Sequence, residues 1–282
     1  MNVADILEGS ARRLMAALGL ERREARLEAR VLAARALGVE PAWLVGHDRD
    51  PLRPGQAAAM ETLLARREVG EPVAYILGER EFHGHVFRVT QDVLIPRPET
   101  ELLVDVALKR GPPRGPARVL DLGTGCGCIA LSLALARPNW EVWAVERSTA
   151  ALMVAQENAR LLGARVIFHE GDWFTGLAGA SFDLIVSNPP YVALADVHLS
   201  RGDPRHEPRS ALVAGPDGLD DLRLLAGGAP GHLLRGGWLL LEHGSEQGAA
   251  CRHLMGLAGL RHIESLADLA GHDRVTVGQQ GT

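Results

Sequence analysis

The sequence predicts an α/β fold, a doubly wound and mostly parallel sheet preceded by a small helical domain. Three observations carry this expectation. Short apolar strands alternate with helical stretches from residue 119 onward, the residues before about 70 show helical periodicity alone, and 282 residues exceed the needs of one compact core. Two domains are expected.

In the first 70 residues, Val3, Ile6, Leu7, Leu14 and Leu18 recur at helical spacing before Gly19. A second helix is expected over 22–37, stopping at Gly38. A third, over 54–68, carries Met60, Leu63 and Leu64 on one side and ends at Gly70. Together they form a bundle assigned to residues 1–75. Residues 1–80 hold 12 Arg against 12 Asp and Glu, so this unit has no net charge with which to attract a polyanion. It is expected to dock a protein or cap the second domain, or to be a structural extension.

Around Gly84, residues 82–89 alternate apolar and polar as a hairpin does, and 76–105 is read as a structured linker. The remainder, 106–282, is the catalytic domain. Its strands are expected at 119–121, 142–145, 166–169, 182–186 and 238–241, with helices after Gly127 and over 148–162.

Composition excludes several classes. With 46% hydrophobic and 23% charged residues the chain is globular, and 30 Lys and Arg against 35 Asp and Glu do not suit a protein that grips nucleic acid through phosphates. Three cysteines, two of them Cys126 and Cys128, fit neither a disulfide framework nor a zinc site, which points to a reducing cytoplasmic setting. His83 and His85 flank Gly84 without a third ligand at suitable spacing, so no metal is expected. Asp5 and Glu8 interrupt the N-terminus where a signal peptide is apolar, and no run is long enough to span a bilayer.

The segment Asp121-Leu122-Gly123-Thr124-Gly125-Cys126-Gly127 puts a carboxylate at a strand end before three alternating glycines that open a helix. Missing side chains let a ligand approach such a backbone closely. Glu146, at the end of the next strand, can accept from two ribose hydroxyls. Asp172 and Trp173, after the third strand, can meet an adenine amino group and its ring face. Because the glycines repeat as Gly-x-Gly-x-Gly and not in the pyrophosphate-cradling pattern, a phosphate-free cofactor is favoured, and S-adenosylmethionine has no phosphate.

Asn188-Pro189-Pro190-Tyr191 follows the fourth strand and is the most specific feature of the chain. An amide or aromatic amine nitrogen has its lone pair delocalised and is a poor nucleophile. Two acceptors, the Asn188 side-chain oxygen and the Pro189 carbonyl, would take both N–H bonds, aim the lone pair and stabilise developing positive charge. The two prolines stiffen the turn and free its carbonyls. Tyr191 can cover the flat face of the target group.

At these residues the chain resembles the release factor glutamine methyltransferases, the HemK/PrmC family. The likeness extends to Tyr75-Ile76-Leu77-Gly78, Glu81-Phe82, Ile95-Pro96-Arg97-Pro98-Glu99-Thr100-Glu101, Glu207-Pro208-Arg209 and Asp273-Arg274-Val275-Thr276. It implies a Rossmann-like class I methyltransferase fold with a mostly parallel seven-stranded sheet. It also implies methyl transfer from S-adenosylmethionine to the glutamine of the Gly-Gly-Gln loop of peptide chain release factors. Direct nucleic-acid or membrane contact is not expected, and the chain is expected to act as a monomer. Glu146 stands where Asp is frequent, Cys126 and Cys128 where smaller or hydroxylated residues are usual, and His83 where a bulkier aromatic is common; none removes a required chemical group.

Two assignments stay open at this level. Arg97 either meets an acidic group, in the substrate or the cofactor, or ties the linker to the core. Glu207 and Arg209 either form a structural ion pair or touch substrate. The same Asn-Pro-Pro-Tyr turn also suits methylation of a ribosomal-protein glutamine or of an adenine amino group, and a silent docking module is a further alternative.

Overall fold

Asn2 accepts a hydrogen bond from the Asp5 N–H at 2.8 Å and its own N–H donates to the Asp5 carboxylate at 2.9 Å, a capping box that starts α1 (Val3–Leu18). The computed structural model describes residues 2–281, which separate into two units. The first holds the described residues through Glu79 together with Ser200–His206. The second holds Arg80–Leu199 and the described residues from Glu207 on.

In the first unit α1 is followed by α2 (Arg22–Leu37), α3 (Trp43–Gly46), α4 (Gln56–Glu68) and α5 (Val73–Leu77). Ala25, Ala29 and Ala33 repeat every four residues along α2 and are fully buried, so small side chains let α1 and α4 approach closely. Leu14, Leu32, Met60 and Leu64 fill the space between, each contributing roughly 1.5–3 kcal/mol by leaving water. α4 begins two residues later than the periodicity predicts because Gly55, at φ +88°, holds a turn that Gln56 closes by accepting from the Arg53 N–H. The one-turn helices α3 and α5 are too short to show a period.

Arg67, on α4, is the buried charge of this unit. Its guanidinium makes a two-pronged bond to Glu28 at 2.8 and 2.9 Å, reaches the Gly70 and Glu71 carbonyls at 3.1 Å, and meets Asp203 at 3.2 Å. Removing it strands Glu28, the buried Gly70 carbonyl and the half-buried Glu71 carbonyl. Arg67→Ala is therefore expected to lower stability by on the order of 3 kcal/mol, read as a lower chemical-denaturation midpoint at unchanged m-value; a shift within error would show that the network is replaceable by water.

The hairpin of β1 (Glu79–Phe82), which starts on the last residue of the first unit, and β2 (His85–Arg88) leads into the second unit, followed by α6 (Glu101–Arg110), β3 (Arg118–Leu122), α7 (Cys128–Ala136), β4 (Glu141–Glu146), α8 (Thr149–Leu162), β5 (Ile167–Glu170) and β6 (Phe182–Ser187). It continues with α9 (Asp220–Gly228), β7 (Leu233–Glu242), α10 (Gly248–Leu257), β8 (Arg261–Ala267) and β9 (Asp273–Gln279). Seven strands form one sheet in the order β5-β4-β3-β6-β7-β9-β8, parallel from β5 to β7, with β9 running antiparallel to both of its neighbours, β7 and β8. The expected doubly wound sheet is present. Leu120, Leu122, Val145, Ile185, Leu239 and Leu241 build its interior.

Strand order reverses between β3 and β6, since the chain runs outward through β4 and β5 before returning to the other side of β3. Loops at the carboxyl ends of strands there diverge and leave a crevice. The loops after β3, β4, β5 and β6 all emerge at this edge. Asn158 of α8 bolts the hairpin to the first of them, giving its amide to the Arg88 and Cys126 carbonyls at 3.0 and 2.8 Å and accepting from the Arg88 N–H at 2.7 Å.

Candidate functional site

A cleft enclosing about 890 Å³ of empty space, part of it open to solvent, lies at the switch point within the second unit. Its walls include Gly123, Thr124, Gly125 and Cys126 from the loop after β3, Glu146 from the end of β4, and Asp172 and Trp173 after β5. Asn188 and Pro190 after β6 and Arg97 line it too.

The glycine loop is held by its own end groups. Asp121 Oδ2 accepts from the Thr124 hydroxyl at 2.6 Å and from the Ala130 N–H of α7 at 3.2 Å. Its Oδ1 is buried without a partner, and burial pushes the carboxyl up to about 7 against the pull of the Thr124 hydroxyl. Asp121 thus sits behind the loop and does not line the cleft. Gly127 also stays out of the lining, because it caps α7 with its Cα directed at Leu131 and Ala155. These two expected cofactor contacts shape the loop from behind.

Gly123 is required for a different reason. It has φ +72°, and a Cβ there would stand 3.2 Å from the Trp173 ring, which crosses the loop. Trp173 itself adopts φ +50°, and its indole N–H faces the Asp221 carboxylate on α9, a partner that sequence reasoning did not supply. Glu146 spends one lone pair on each of two backbone groups, Oε2 accepting from Gly125 at 2.9 Å and Oε1 from Ser148 at 2.9 Å. A carboxylate has about four such positions, so acceptor capacity remains toward the cleft.

At the other end, the Asn188 amide donates from Nδ2 to the Thr100 hydroxyl at 3.1 Å. This fixes the side chain with Oδ1 as its second polar atom, and no described group donates to Oδ1 or to the Pro189 carbonyl. Pro189 is buried and does not line the cleft, nor does Tyr191. Burial, with the Glu242 carboxylate as second cause, pushes the Tyr191 phenol up to about 12, so it is neutral at ordinary pH.

Arg97 lines the cleft with its guanidinium bonded to the buried Glu207 carboxylate at 2.5 Å, while the other oxygen of Glu207 takes the Ile95 N–H at 3.2 Å. Glu207 therefore meets Arg97, where the sequence had suggested Arg209 as its ionic partner; the turn at Pro208 turns Arg209 out to an exposed position. The second cation of the cleft, Arg147, donates to the Ser210 carbonyl at 3.0 Å. Both cations of the lining are thus committed to acceptors, and Asp92, Glu146 and Asp172 add carboxylates. Such walls suit a ligand with hydroxyls and positive charge and do not suit a pyrophosphate.

Lining residues that sequence reasoning missed include Asp92, Thr100, Arg147, Ala151, Pro208 and Ser210. Thr100 and Pro208 lie in the segments Ile95–Glu101 and Glu207–Arg209, whose only signal was resemblance. Among the described residues no group of three His, Cys, Asp or Glu could hold a metal ion, and no helix is long and apolar enough to cross a membrane.

Comparison with known proteins agrees with this geometry. Residues 6–78 match the model of the PrmC N-terminal domain, and residues 98–202 match the methyltransferase small domain. The chain is 55% identical to a release factor glutamine methyltransferase of Bordetella pertussis over 90% of this chain and 94% of that one. It is 49% identical to a protein of the same name from Xylella fastidiosa, over 90% and 93%. Among solved structures, a Pyrococcus furiosus methyltransferase superposes with a TM-score of 0.55 at 18% identity, over 79% of this chain and all of that one. A T. thermophilus 16S rRNA methyltransferase in complex with AdoMet and guanosine gives 0.54 at 21%, over 72% of this chain and 49% of that one. Both likenesses concern the fold.

Proposed function

The chain belongs to the release factor glutamine methyltransferase family, and from that premise we propose how its residues methylate the glutamine of the Gly-Gly-Gln loop of peptide chain release factors. S-adenosylmethionine supplies an electrophilic methyl carbon on a sulfonium centre. Gly123, Thr124, Gly125 and Cys126 give it backbone to lie against, Glu146 takes the ribose hydroxyls, and Asp172 and Trp173 take the adenine. The fit rests on the open face of Gly125, where a Cβ would meet no atom within 4 Å, and on lining cations already bonded elsewhere.

The observation that carries the chemistry is the Asn188 side-chain oxygen on the cleft wall, which no described group uses, beside a Pro189 carbonyl just behind the lining that likewise has no described donor. With Oδ1 and the Pro189 carbonyl each holding one N–H of the glutamine amide, the planar group is held in one orientation and one face of its nitrogen points at the methyl donor. The same oxygens stabilise the positive charge that grows on nitrogen, so the turn needs no strong base. Pro190 holds the turn rigid, and Tyr191, neutral and half-buried behind the lining, backs it. Arg97, tied to Glu207, fixes the wall opposite. The helical unit, without net charge of its own, serves as the docking platform for the release factor, and such a partner places the enzyme in the cytoplasm, acting in translation termination.

Purified protein with labelled S-adenosylmethionine is expected to label release factor at its Gly-Gly-Gln glutamine, seen as a 14 Da gain on that peptide by mass spectrometry (one CH3 replacing one H, about 14 Da). Label in ribosomal protein or DNA with none in release factor would overturn this reading.

A further inference from the structure

Beneath Asn188 lies a buried pair that the reaction, as described above, leaves unused. Thr100, 2% exposed, ends the 3-10 turn Pro98–Thr100 and accepts the Asn188 Nδ2 hydrogen bond at 3.1 Å. Its hydroxyl also reaches the carboxylate of Glu242, which is 1% exposed. Glu242 arrives there through the sheet, because Ser187, the last residue of β6, pairs with Leu241, and the next residues along are Asn188 just past β6 and Glu242 at the end of β7. It makes no ion pair among the described residues, and its Oε2 has no hydrogen-bond partner. A glutamine or leucine would be cheaper to bury at such a position.

We propose, resting on the methyl-transfer reading above, that Glu242 is a positioning residue acting through Thr100 to set which way the Asn188 amide faces. A hydroxyl has one proton and an ionised carboxylate only accepts. The Thr100 proton must then point at Glu242, which leaves the Thr100 oxygen as an acceptor. An acceptor at that place draws the NH2 end of Asn188 and turns Oδ1 toward the substrate nitrogen. When Glu242 takes up a proton it becomes a donor itself, and the Thr100 hydroxyl is released to donate to an inverted amide. The inverted amide presents NH2 to the glutamine NH2, donor against donor.

This makes turnover depend on pH. Burial raises the Glu242 carboxyl to about 7, opposed by the Thr100 hydroxyl. The charged groups acting on it are Arg274 and Arg97, which favour its ionised form, and Glu99, which opposes it. Arg274 is itself bonded to Asp268 and Arg97 to Glu207, so neither pairs with Glu242 directly. Tyr191, raised by burial, and Cys128, raised first by its hydrogen bond with Cys126 and then by burial, stay neutral through this range. Asp121, raised by burial to about 7, shapes the glycine loop, so its titration is read in cofactor affinity and is kept out of kcat by saturating S-adenosylmethionine. His243, next in sequence, is lowered by burial and gives its ring to the Gly244 carbonyl and the Thr100-remote Thr276 hydroxyl. The catalytic amide is therefore expected to be correctly faced above about pH 7 and scrambled below it.

The test compares wild type, Glu242→Gln, Thr100→Val and Thr100→Ser with release factor and S-adenosylmethionine between pH 6 and 9. Wild-type kcat is expected to rise with one acid limb, whereas Glu242→Gln stays about tenfold below the wild-type plateau without that limb, the scale for one misdirected hydrogen bond. Thr100→Val should fall about tenfold in kcat with S-adenosylmethionine affinity by calorimetry unchanged, and Thr100→Ser should restore it. Should Glu242→Gln fail to fold, the Val and Ser pair decides alone. Wild-type methylation of release factor together with Val and Gln variants at full kcat, or with an acid limb kept in Glu242→Gln, overturns the proposal; absence of methylation by the wild type would instead overturn the function.

Discussion

Asn188→Ala lowers turnover about a hundredfold or more and leaves S-adenosylmethionine affinity within about twofold of wild type, the scale found when one preorganised polar group is removed from a catalytic site. Two features of the structure separate these effects. Asn188 follows β6 and its only described side-chain bond is to Thr100, so truncation breaks no contact with the glycine loop or with Glu146. The lost oxygen is the one that no protein group uses, which means that its work is done in the complex with substrate. The Pro189 carbonyl survives the substitution, and for that reason the residual rate should stay above background. Single-turnover kinetics with release factor, beside calorimetry with the cofactor, measures both quantities. A loss of cofactor affinity as large as the loss of rate would show that Asn188 belongs to the cofactor's wall and has been given the wrong role.

Legibility from the sequence followed the range over which each feature is determined. The glycine loop and Asn188–Tyr191 could be read because their chemistry is written in consecutive residues at strand ends. Strands β3, β4 and β6 could be read because both faces are largely buried and short apolar runs dominate each of them. β7 runs over Leu233–Glu242, yet only 238–241 was expected, since Gly236 and Gly237 interrupt the run where the backbone passes close to the Asp183 and Phe182 carbonyls. β8 is an edge strand with a largely exposed pattern and gives almost no periodic signal. The helices α6, α9 and α10 went unread as elements, although α6 begins inside the Ile95–Glu101 segment.

What remained hidden in the site has one physical origin. Thr100 and Asn188 lie 88 residues apart, and Arg97 and Glu207 lie 110 apart. No local pattern announces such pairs, because strand order and not spacing brings them together. The same holds for Asp121. Its place at a strand end suggested ligand contact, but the fold turns it inward onto Thr124 and Ala130, where it holds the loop's shape.

Gly125→Val abolishes cofactor binding measurable by calorimetry, an affinity loss of at least about a hundredfold, while the protein stays folded. A Cβ at Gly125 meets no protein atom within 4 Å, so the branched side chain finds room only in the cleft itself. The residue has φ +57°, where an L side chain costs about 1–2 kcal/mol and a β-branched one more. In a chain of this size that strain lowers Tm by a few degrees and does not unfold it. The Gly125 N–H also donates to Glu146 Oε2 at 2.9 Å, so a displaced loop frees the carboxylate from the position in which it would meet hydroxyls. Gly127 provides the contrast, for at that residue a Cβ would stand 3.0 Å from Leu131 and 3.2 Å from Ala155, inside the packed base of the loop. Gly127→Ala should therefore cost stability first and binding second, whereas Gly125→Val reverses the order. Normal cofactor affinity in Gly125→Val would mean that the ligand does not lie against this loop, and the assignment of the cleft would have to be abandoned.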